Sequence, residues 1–286
     1  MTSTKMPSIV HTGAEIRQLI HSAQLSGKRV GVVPTMGALH AGHLSLIDAA
    51  REQCDLVVAT IFVNPTQFAP GEDFERYPRN LEADAAKLAS CGCDIVFAPA
   101  VDEMYPQGYG TSIDVGAVSR PLEGERRPTH FAGVATVVLK LFQLVPANRA
   151  YFGHKDYQQT LVVRQMVRDL NVPIDIVVCP TVRETDGLAM SSRNAYLSPD
   201  ERKRATALHD SMQLAAQLAS TGERSVAKLT AAMEQHLNEV GGFVLDYIAF
   251  VRQDTVELVD EVTGPTVILI AAHLGQTRLI DNLVIG

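Results

Sequence analysis

Residues 34–43 read Pro-Thr-Met-Gly-Ala-Leu-His-Ala-Gly-His, and this run constrains the fold more tightly than any other in the chain. An apolar stretch at 29–33 precedes it and an amphipathic one at 44–50 follows. That order predicts strand, turn and helix. Gly37 and Gly42 lack a Cβ, so the turn can bend and a ligand can approach the backbone closely. A helix start offers unpaired N–H groups and the positive end of a dipole, which suit a phosphate. His40 and His43 are three apart and share a face if the helix begins near them. Two imidazoles placed there can donate hydrogen bonds to phosphate oxygens, so the run predicts a nucleotide site. Zinc fits less well. Helical zinc histidines are usually four apart with a nearby acid, and position 41 is Ala.

Bulk properties narrow the class. The 286 residues are 46% hydrophobic and 20% charged, with a formal net charge of −7. Such a chain suits a globular protein of one large domain or two modest ones. No block of Lys and Arg forms a nucleic-acid stripe, which disfavours long DNA or RNA as a partner. No stretch approaches the ~18 apolar residues of a membrane span, and residues 1–7 lack the apolar core of a secretory signal. Cys54, Cys91, Cys93 and Cys179 form no C-x-x-C pair. Free thiols in a reducing, cytoplasmic setting are the expectation.

Apolar runs at 29–33, 56–63, 94–98, 150–152 and 174–179 alternate with helical patterns at 44–53, 80–89, 133–144 and 157–169. A first helix, opened by a capping box at Thr12 and Glu15, runs to about Leu25. Strands alternating with helices predict an α/β fold, a Rossmann-like doubly wound parallel sheet whose ligands sit at the carboxyl ends of its strands. The pattern changes near 182. A second capping box at Ser198 and Glu201, with Pro199 at the first helical position, opens a charged helix to about Ser220. Another helix at 225–240 and strands at 243–252, 266–273 and 278–283 complete a smaller C-terminal α+β domain. The expected domains are thus 1–182 and 183–286.

Four further segments carry chemistry toward the same strand ends. Asn64 and Gln67 are amides leaving the second strand, suited to a small polar ligand or simply to an Asn-Pro turn. Residues 124–133 are rich in cations and Gly, either a flap near anionic ligands or a surface loop. Gly153, His154, Lys155 and Asp156 stand between a strand and a helix. Lys155 can neutralise a phosphate, Asp156 can hold a ribose hydroxyl or Mg2+, and Gln159 lies one turn on. Met190, Ser191, Ser192 and Arg193 offer hydroxyls and a guanidinium to phosphate oxygens. The chain has no G-x-x-x-x-G-K-[ST] loop, no G-x-G-x-x-G after the first strand and no G-x-S-x-G elbow.

In this combination and order, residues 34–43, 62–68, 126–133, 151–159 and 181–194 resemble the pantothenate synthetase (pantoate–β-alanine ligase) family, along nearly the whole chain. The resemblance implies ATP-dependent condensation of pantoate with β-alanine through a pantoyl adenylate, with release of AMP and pyrophosphate. It implies Mg2+ as cofactor and a cytoplasmic homodimer whose C-terminal domain closes over the site. Carried over, Met36, Gly37, Ala38, Leu39, His40, Ala41, Gly42 and His43 would line the ATP site. Gly153, His154, Lys155, Asp156, Val182, Met190, Ser191, Ser192 and Arg193 would join them. His43 would act as proton donor, with His40, Lys155 and Arg193 also catalytic. Gln67 would bind pantoate and lie near β-alanine, Gln159 would bind pantoate, and Asn64 would assist. Asp84 would neighbour Mg2+. The family usually has Glu or Gln where this chain has His154. Three rivals remain at this point. One is a nucleotidylyltransferase that stops at AMP transfer. Another is a non-catalytic nucleotide-binding module. The last, a tRNA synthetase, is disfavoured by the lack of a basic extension.

Overall fold

The computed structural model describes residues 5–68 and 72–286. Residues 1–4, part of the N-terminal stretch read for a signal, lie outside the described residues. Packing divides the chain into two compact units. The first runs to His154 and resumes over Gln158–Pro180, and the second joins Lys155–Tyr157 to Thr181–Gly286.

The first unit alternates strands and helices. In chain order these are β1 (Ser8–Val10), α1 (Gly13–Leu25), β2 (Val30–Thr35), α2 (Ala41–Gln53), β3 (Leu56–Ile61), α3 (Leu81–Ser90) and β4 (Ile95–Phe97). The single turns α4 (Val101–Met104) and α5 (Glu123–Arg126) follow, then α6 (His130–Leu144), β5 (Arg149–Gly153), α7 (Tyr157–Asp169) and β6 (Asp175–Cys179). The sheet order is β1-β4-β3-β2-β5-β6, and every pairing is parallel. This is the doubly wound sheet expected from the alternation. The short β1 was not legible as a strand, because three residues with a single buried one carry almost no periodicity. Pairing of Ile9 with Val96 makes it the edge of the sheet. Helix α6 starts three residues before the expected Gly133.

Strand alternation builds two cores. Val30, Val32, Val58, Phe97, Ala150 and Phe152 pack with Ile16 and Ile20 of α1 and the apolar face of α6. Residues of opposite parity, Val33, Val57, Ala59, Val96 and Tyr151, pack with Leu46, Ile47 and Ala50 of α2 and Leu88 of α3. Successive side chains leave a strand on opposite faces, so one apolar run feeds both layers. Packing is tight at Gly31: a Cβ would stand 3.0 Å from Cys54 Sγ and 3.2 Å from the Tyr151 ring. The four cysteines are free thiols.

Sheet order reverses between β2 and β5. These strands pair through Gly31–Arg149 and Val32–Ala150 and then part. Pro34, which has no N–H to give a ladder, falls in the stretch of β2 beyond that pairing. Such a switch point opens a crevice outside the carboxyl ends of the strands.

In the second unit, α8 (Pro199–Arg204), α9 (Ala207–Ser220) and α10 (Val226–Val240) precede an antiparallel meander of β7 (Phe243–Arg252), β8 (Thr266–Leu274) and β9 (Thr277–Ile285). Leu208, Met212, Leu229 and Met233 pack on Phe250, Ile268, Ile270 and Leu279 to form a separate core. The single charged helix expected over 198–220 is instead two, because the hydrogen-bond ladder loosens at Ala205 and Thr206 while both stay in the right-handed helical region. The Ser198–Glu201 capping box forms with both of its bonds. Gly275, at a φ of 58°, opens the two-residue turn between Leu274 and Thr277. Among the described residues no helix is long and apolar enough to cross a membrane.

Candidate active site

The loop from β2 to α2 is held in an unusual shape. Gly37 and Ala38 have φ of 80° and 50°, so two consecutive residues occupy the left-handed region. For Ala this costs of order 1 kcal/mol and needs compensation. Asp84 in the first turn of α3 supplies it: Ala38 N–H donates to its Oδ2 and Leu39 N–H to its Oδ1, each at 2.9 Å. Lys87 Nζ donates to the Leu39 carbonyl at 2.7 Å. Asp84 is only 2% exposed. The magnesium neighbour expected at this position is a carboxylate whose two oxygens accept backbone N–H groups of the β2–α2 loop. No sequence signal marks that role, since an acid in the first turn of a helix ordinarily just opposes the dipole.

His40 is the N-cap of α2 and His43 lies one turn in. Gly42 N–H donates to His40 Nδ1 at 3.2 Å, and His40 N–H donates to His43 Nδ1 at 3.4 Å. The rings lie 4.1 Å apart between centroids. A ring nitrogen that accepts a hydrogen bond carries no proton, so each neutral imidazole has its proton on Nε2. The loop therefore displays two half-buried Nε2–H donors at a helix N-terminus, the arrangement an oxyanion needs. Gly42, Ala41 and Met36 complete the turn.

Beyond β3, Asn64 and Gln67 form one buried turn. Asn64 Nδ2 donates to Gln67 Oε1 at 3.0 Å and to the Gly133 carbonyl at 3.2 Å. Its Oδ1 accepts from Thr66 Oγ1 and Tyr105 OH. With Oε1 engaged, Gln67 directs its NH2 end away from Asn64, and Asn64 itself is scaffold. The Gln67 carbonyl accepts from Arg127 Nη2 at 3.1 Å and stands 3.0 Å from His130 Nδ1. Arg127 is in turn gripped by both oxygens of Glu72 at 2.7 Å. Desolvation, and then the Arg127 charge, lower the His130 pKa to about 4. The imidazole is neutral at pH 7. Sequence reading saw residues 124–133 only as a cationic loop and missed that Arg127 and His130 hold Gln67. Gly133 allows α6 to approach this turn, because a Cβ would lie 2.4 Å from the Thr66 carbonyl.

Gly153 and His154 lie at the end of β5, next to β2 in the sheet. On α7, buried Gln158 donates to the Val118 and Pro121 carbonyls and is structural, while Gln159 is only partly buried.

The second unit carries the other site residues. Lys155 Nζ lies 3.8 Å from Asp156 Oδ1. Residues 182–190 form a small hairpin in which Met190 N–H donates to the Val182 carbonyl and Arg183 bridges Ala189. Gly187, at a φ of 95°, closes its turn beside His209. Arg193 N–H donates to Ser191 Oγ at 3.2 Å, and Ser192 and Arg193 open a short 3-10 turn. Two expected ATP contacts, Val182 and Met190, are thus strand neighbours. What the sequence could not display is their anchor. Asn194 and Arg202 bond Glu184 at the hairpin's base, and Arg183 forms a buried two-pronged pair with Asp281.

The chain is similar to known proteins along nearly its full length. The family model described as pantoate-beta-alanine ligase matches residues 8–284. The pantothenate synthetase of Moorella thermoacetica is 50% identical over 97% of this chain and 98% of its own. The crystal structure of the Thermus thermophilus enzyme superimposes with a TM-score of 0.91 at 49% identity, covering 96% of this chain and 98% of that one. A pantoate-beta-alanine ligase from Francisella tularensis, solved with "Beta-gamma ATP" and β-alanine, gives a TM-score of 0.81 at 35% identity, over 97% of both chains. With half of its residues shared over nearly its full length, this chain belongs to the pantoate-beta-alanine ligase family.

Proposed function

We infer that the chain carries out the reaction of its family, the ATP-dependent joining of pantoate to β-alanine. The observation that carries the reading is the pair of Nε2–H donors of His40 and His43, held at the start of α2 by an Asp84-clamped loop. ATP and β-alanine are ligands of the Francisella relative, and both are assigned to this chain.

A carboxylate is a poor acyl donor, and adenylation supplies it with a leaving group. A pantoate carboxylate oxygen attacks the α-phosphorus and pyrophosphate departs. The β-alanine nitrogen then attacks the acyl carbon, loses a proton, and AMP departs. Negative charge grows on phosphate oxygens in the first step. Donors fixed in advance stabilise it without reorganising. His40 and His43 serve the phosphates through Nε2–H, and His43 also gives a proton to the departing group. Lys155 and Arg193 supply full positive charges. Residues 36–43, Gly153, His154, Asp156, Val182, Met190, Ser191 and Ser192 enclose the nucleotide. Gln67 donates its amide hydrogens to pantoate, near β-alanine, and Gln159 adds a second contact. Residues 1–182 act as the nucleotide- and pantoate-binding domain and 183–286 as a smaller lid domain, and exclusion of water protects the adenylate.

The family reaction also uses Mg2+. Among the described residues no group of three or more His, Cys, Asp or Glu is arranged to hold a metal ion. The chain suits an ion carried in on the triphosphate, with Asp156 rather than the engaged Asp84 as the nearby carboxylate, since Mg2+ keeps several waters and binds mainly through phosphates. Bound there it would neutralise phosphate charge. The enzyme is assigned to the cytoplasm as a homodimer, from the character of its family.

Oxygen-18 in the pantoate carboxylate tests the route. Label recovered in AMP, with AMP release dependent on β-alanine, supports the adenylate. Label in inorganic phosphate, with ADP formed, would replace it by an acyl phosphate.

A further inference from the structure

The last strand of the second unit places two buried polar residues side by side. Asp281 and Asn282 are 4% and 3% exposed. Apolar Ile280 and Leu283 flank them, and their partners on β8 are Ile270 and Leu269. A strand needs no polar side chain in such a setting, and burying one is costly unless it is bonded. Both are bonded, to different loops.

Asn282 Nδ2 donates to the Lys155 carbonyl at 2.8 Å. Tyr157, two residues on, donates its hydroxyl to the Thr255 carbonyl at 3.1 Å. The segment Lys155–Tyr157 therefore packs with the second unit although its sequence neighbours do not. Asp281 takes the other loop. Its carboxylate accepts Arg183 Nη1 at 2.6 Å and Nη2 at 3.0 Å. The same guanidinium reaches the Gly187 and Asn282 carbonyls, each at 3.1 Å. One strand thus holds the backbone that carries Lys155 and the hairpin that carries Val182 and Met190.

We propose that Asn282 is a positioning residue for Lys155, and that β9, gripping Arg183 through the neighbouring Asp281, sets the spacing between the lysine and the 182–190 hairpin. A side chain leaves its backbone along the Cα–Cβ bond, so fixing the Lys155 carbonyl fixes where the ammonium can reach. The inference rests on the reading that Lys155 contacts the phosphates of ATP. Asp281 is the poorer residue to alter, because removing one partner of a buried ion pair strands the other charge and destabilises the fold. Asn282 is neutral and its partner is a carbonyl, so Asn282→Ala strands no charge and disturbs the fold less.

The test compares N282A, N282D, K155A and the double variant N282A/K155A in pantoate-dependent exchange of pyrophosphate into ATP, together with thermal melting. N282D keeps the shape but loses the donor. Loss of one such bond predicts an approximately ten-fold drop in kcat/KM for ATP in both Asn282 variants. The KM for pantoate should stay within two-fold, while melting should drop modestly in N282A, which leaves the Lys155 carbonyl without its donor, and further in N282D, which buries a carboxylate beside Asp281. In the K155A background, N282A should cost less than two-fold more, because the two act as one unit. Normal exchange in N282A and N282D overturns the inference. So do losses that multiply in the double variant, or a pantoate KM that rises with that of ATP. If the unaltered enzyme shows no pantoate-dependent exchange, the functional reading itself fails and this inference falls with it.

Discussion

His40 donates its backbone N–H to Nδ1 of His43 and accepts the Gly42 N–H at its own Nδ1, so both imidazoles, 4.1 Å apart between centroids, carry their hydrogen on Nε2. Each ring is thereby tied to the cap of α2 as well as to its chemistry. His40→Asn should separate these. Asn is among the best N-cap residues, so melting should shift little, while the Nε2–H is gone. Single-turnover pyrophosphate release should fall about 10²-fold in this variant and about 10²–10³-fold in His43→Ala. Rates near that of the unaltered enzyme in both would remove the imidazoles from the mechanism.

Asp84 makes a second prediction. If it clamps the loop, Asp84→Asn replaces an acceptor oxygen by an NH2 that faces a backbone N–H, and Ala38 loses the support for its left-handed backbone. The KM for ATP should rise roughly ten-fold, in line with one or two lost charge-assisted bonds. The Mg2+ concentration that gives half-maximal rate should stay where it was. A large shift in that concentration, with the ATP KM unchanged, would support the metal role that the family resemblance implies for Asp84.

Gly133 lies against Thr66, and Thr66 precedes Gln67. A methyl group at 133 would meet the Thr66 carbonyl at 2.4 Å, so Gly133→Ala must push the turn or the helix. Overpacking of this kind costs about 1–3 kcal/mol. The expected kinetic result is selective: a rise of about ten-fold in the KM for pantoate, with that for ATP nearly unaltered. Equal effects on both substrates would mean that the strain spreads beyond the Gln67 turn.

His130 gives the fold a pH dependence. Its pKa drops from the usual 6.5 to about 4 in the folded chain. Between those values the unfolded chain binds a proton that the folded chain refuses, so stability falls as pH falls from 6.5 to 4, and is fully present above 6.5. The effect is about 3 kcal/mol. Urea unfolding at a series of pH values should show this decline, and His130→Gln, which retains a donor for the Gln67 carbonyl, should flatten it in that window. An unchanged slope in the variant would assign the decline to other groups.

Much of the site can be read locally. The β2 strand, the loop of 36–39 and the helix carrying His43 follow from an apolar run, two glycines and a cap, all within a few residues of one another. The capping box at Ser198 and Glu201 is equally local, and it forms as read. Single-turn pieces such as α5 and the edge strand β1, with one buried residue of three, escaped, because so short a piece with so little buried surface shows no pattern.

What sequence by itself determined is the alternation of strands and helices, the class of sheet this builds, and the list of side chains able to meet a nucleotide. Spacing at two, three and four residues decides such things, and it is printed in the order of the amino acids. Tertiary structure alone decided which of those side chains are scaffold. Asp84 meets Ala38 and Leu39 across 46 and 45 positions, His130 meets the Gln67 carbonyl across 63, and Asn282 meets Lys155 across 127. Contacts over such separations depend on the order in which strands join a sheet and on how closely helices approach it. A carboxylate or amide looks the same in sequence whether it faces a ligand or a backbone N–H, and only its buried surroundings distinguish the two.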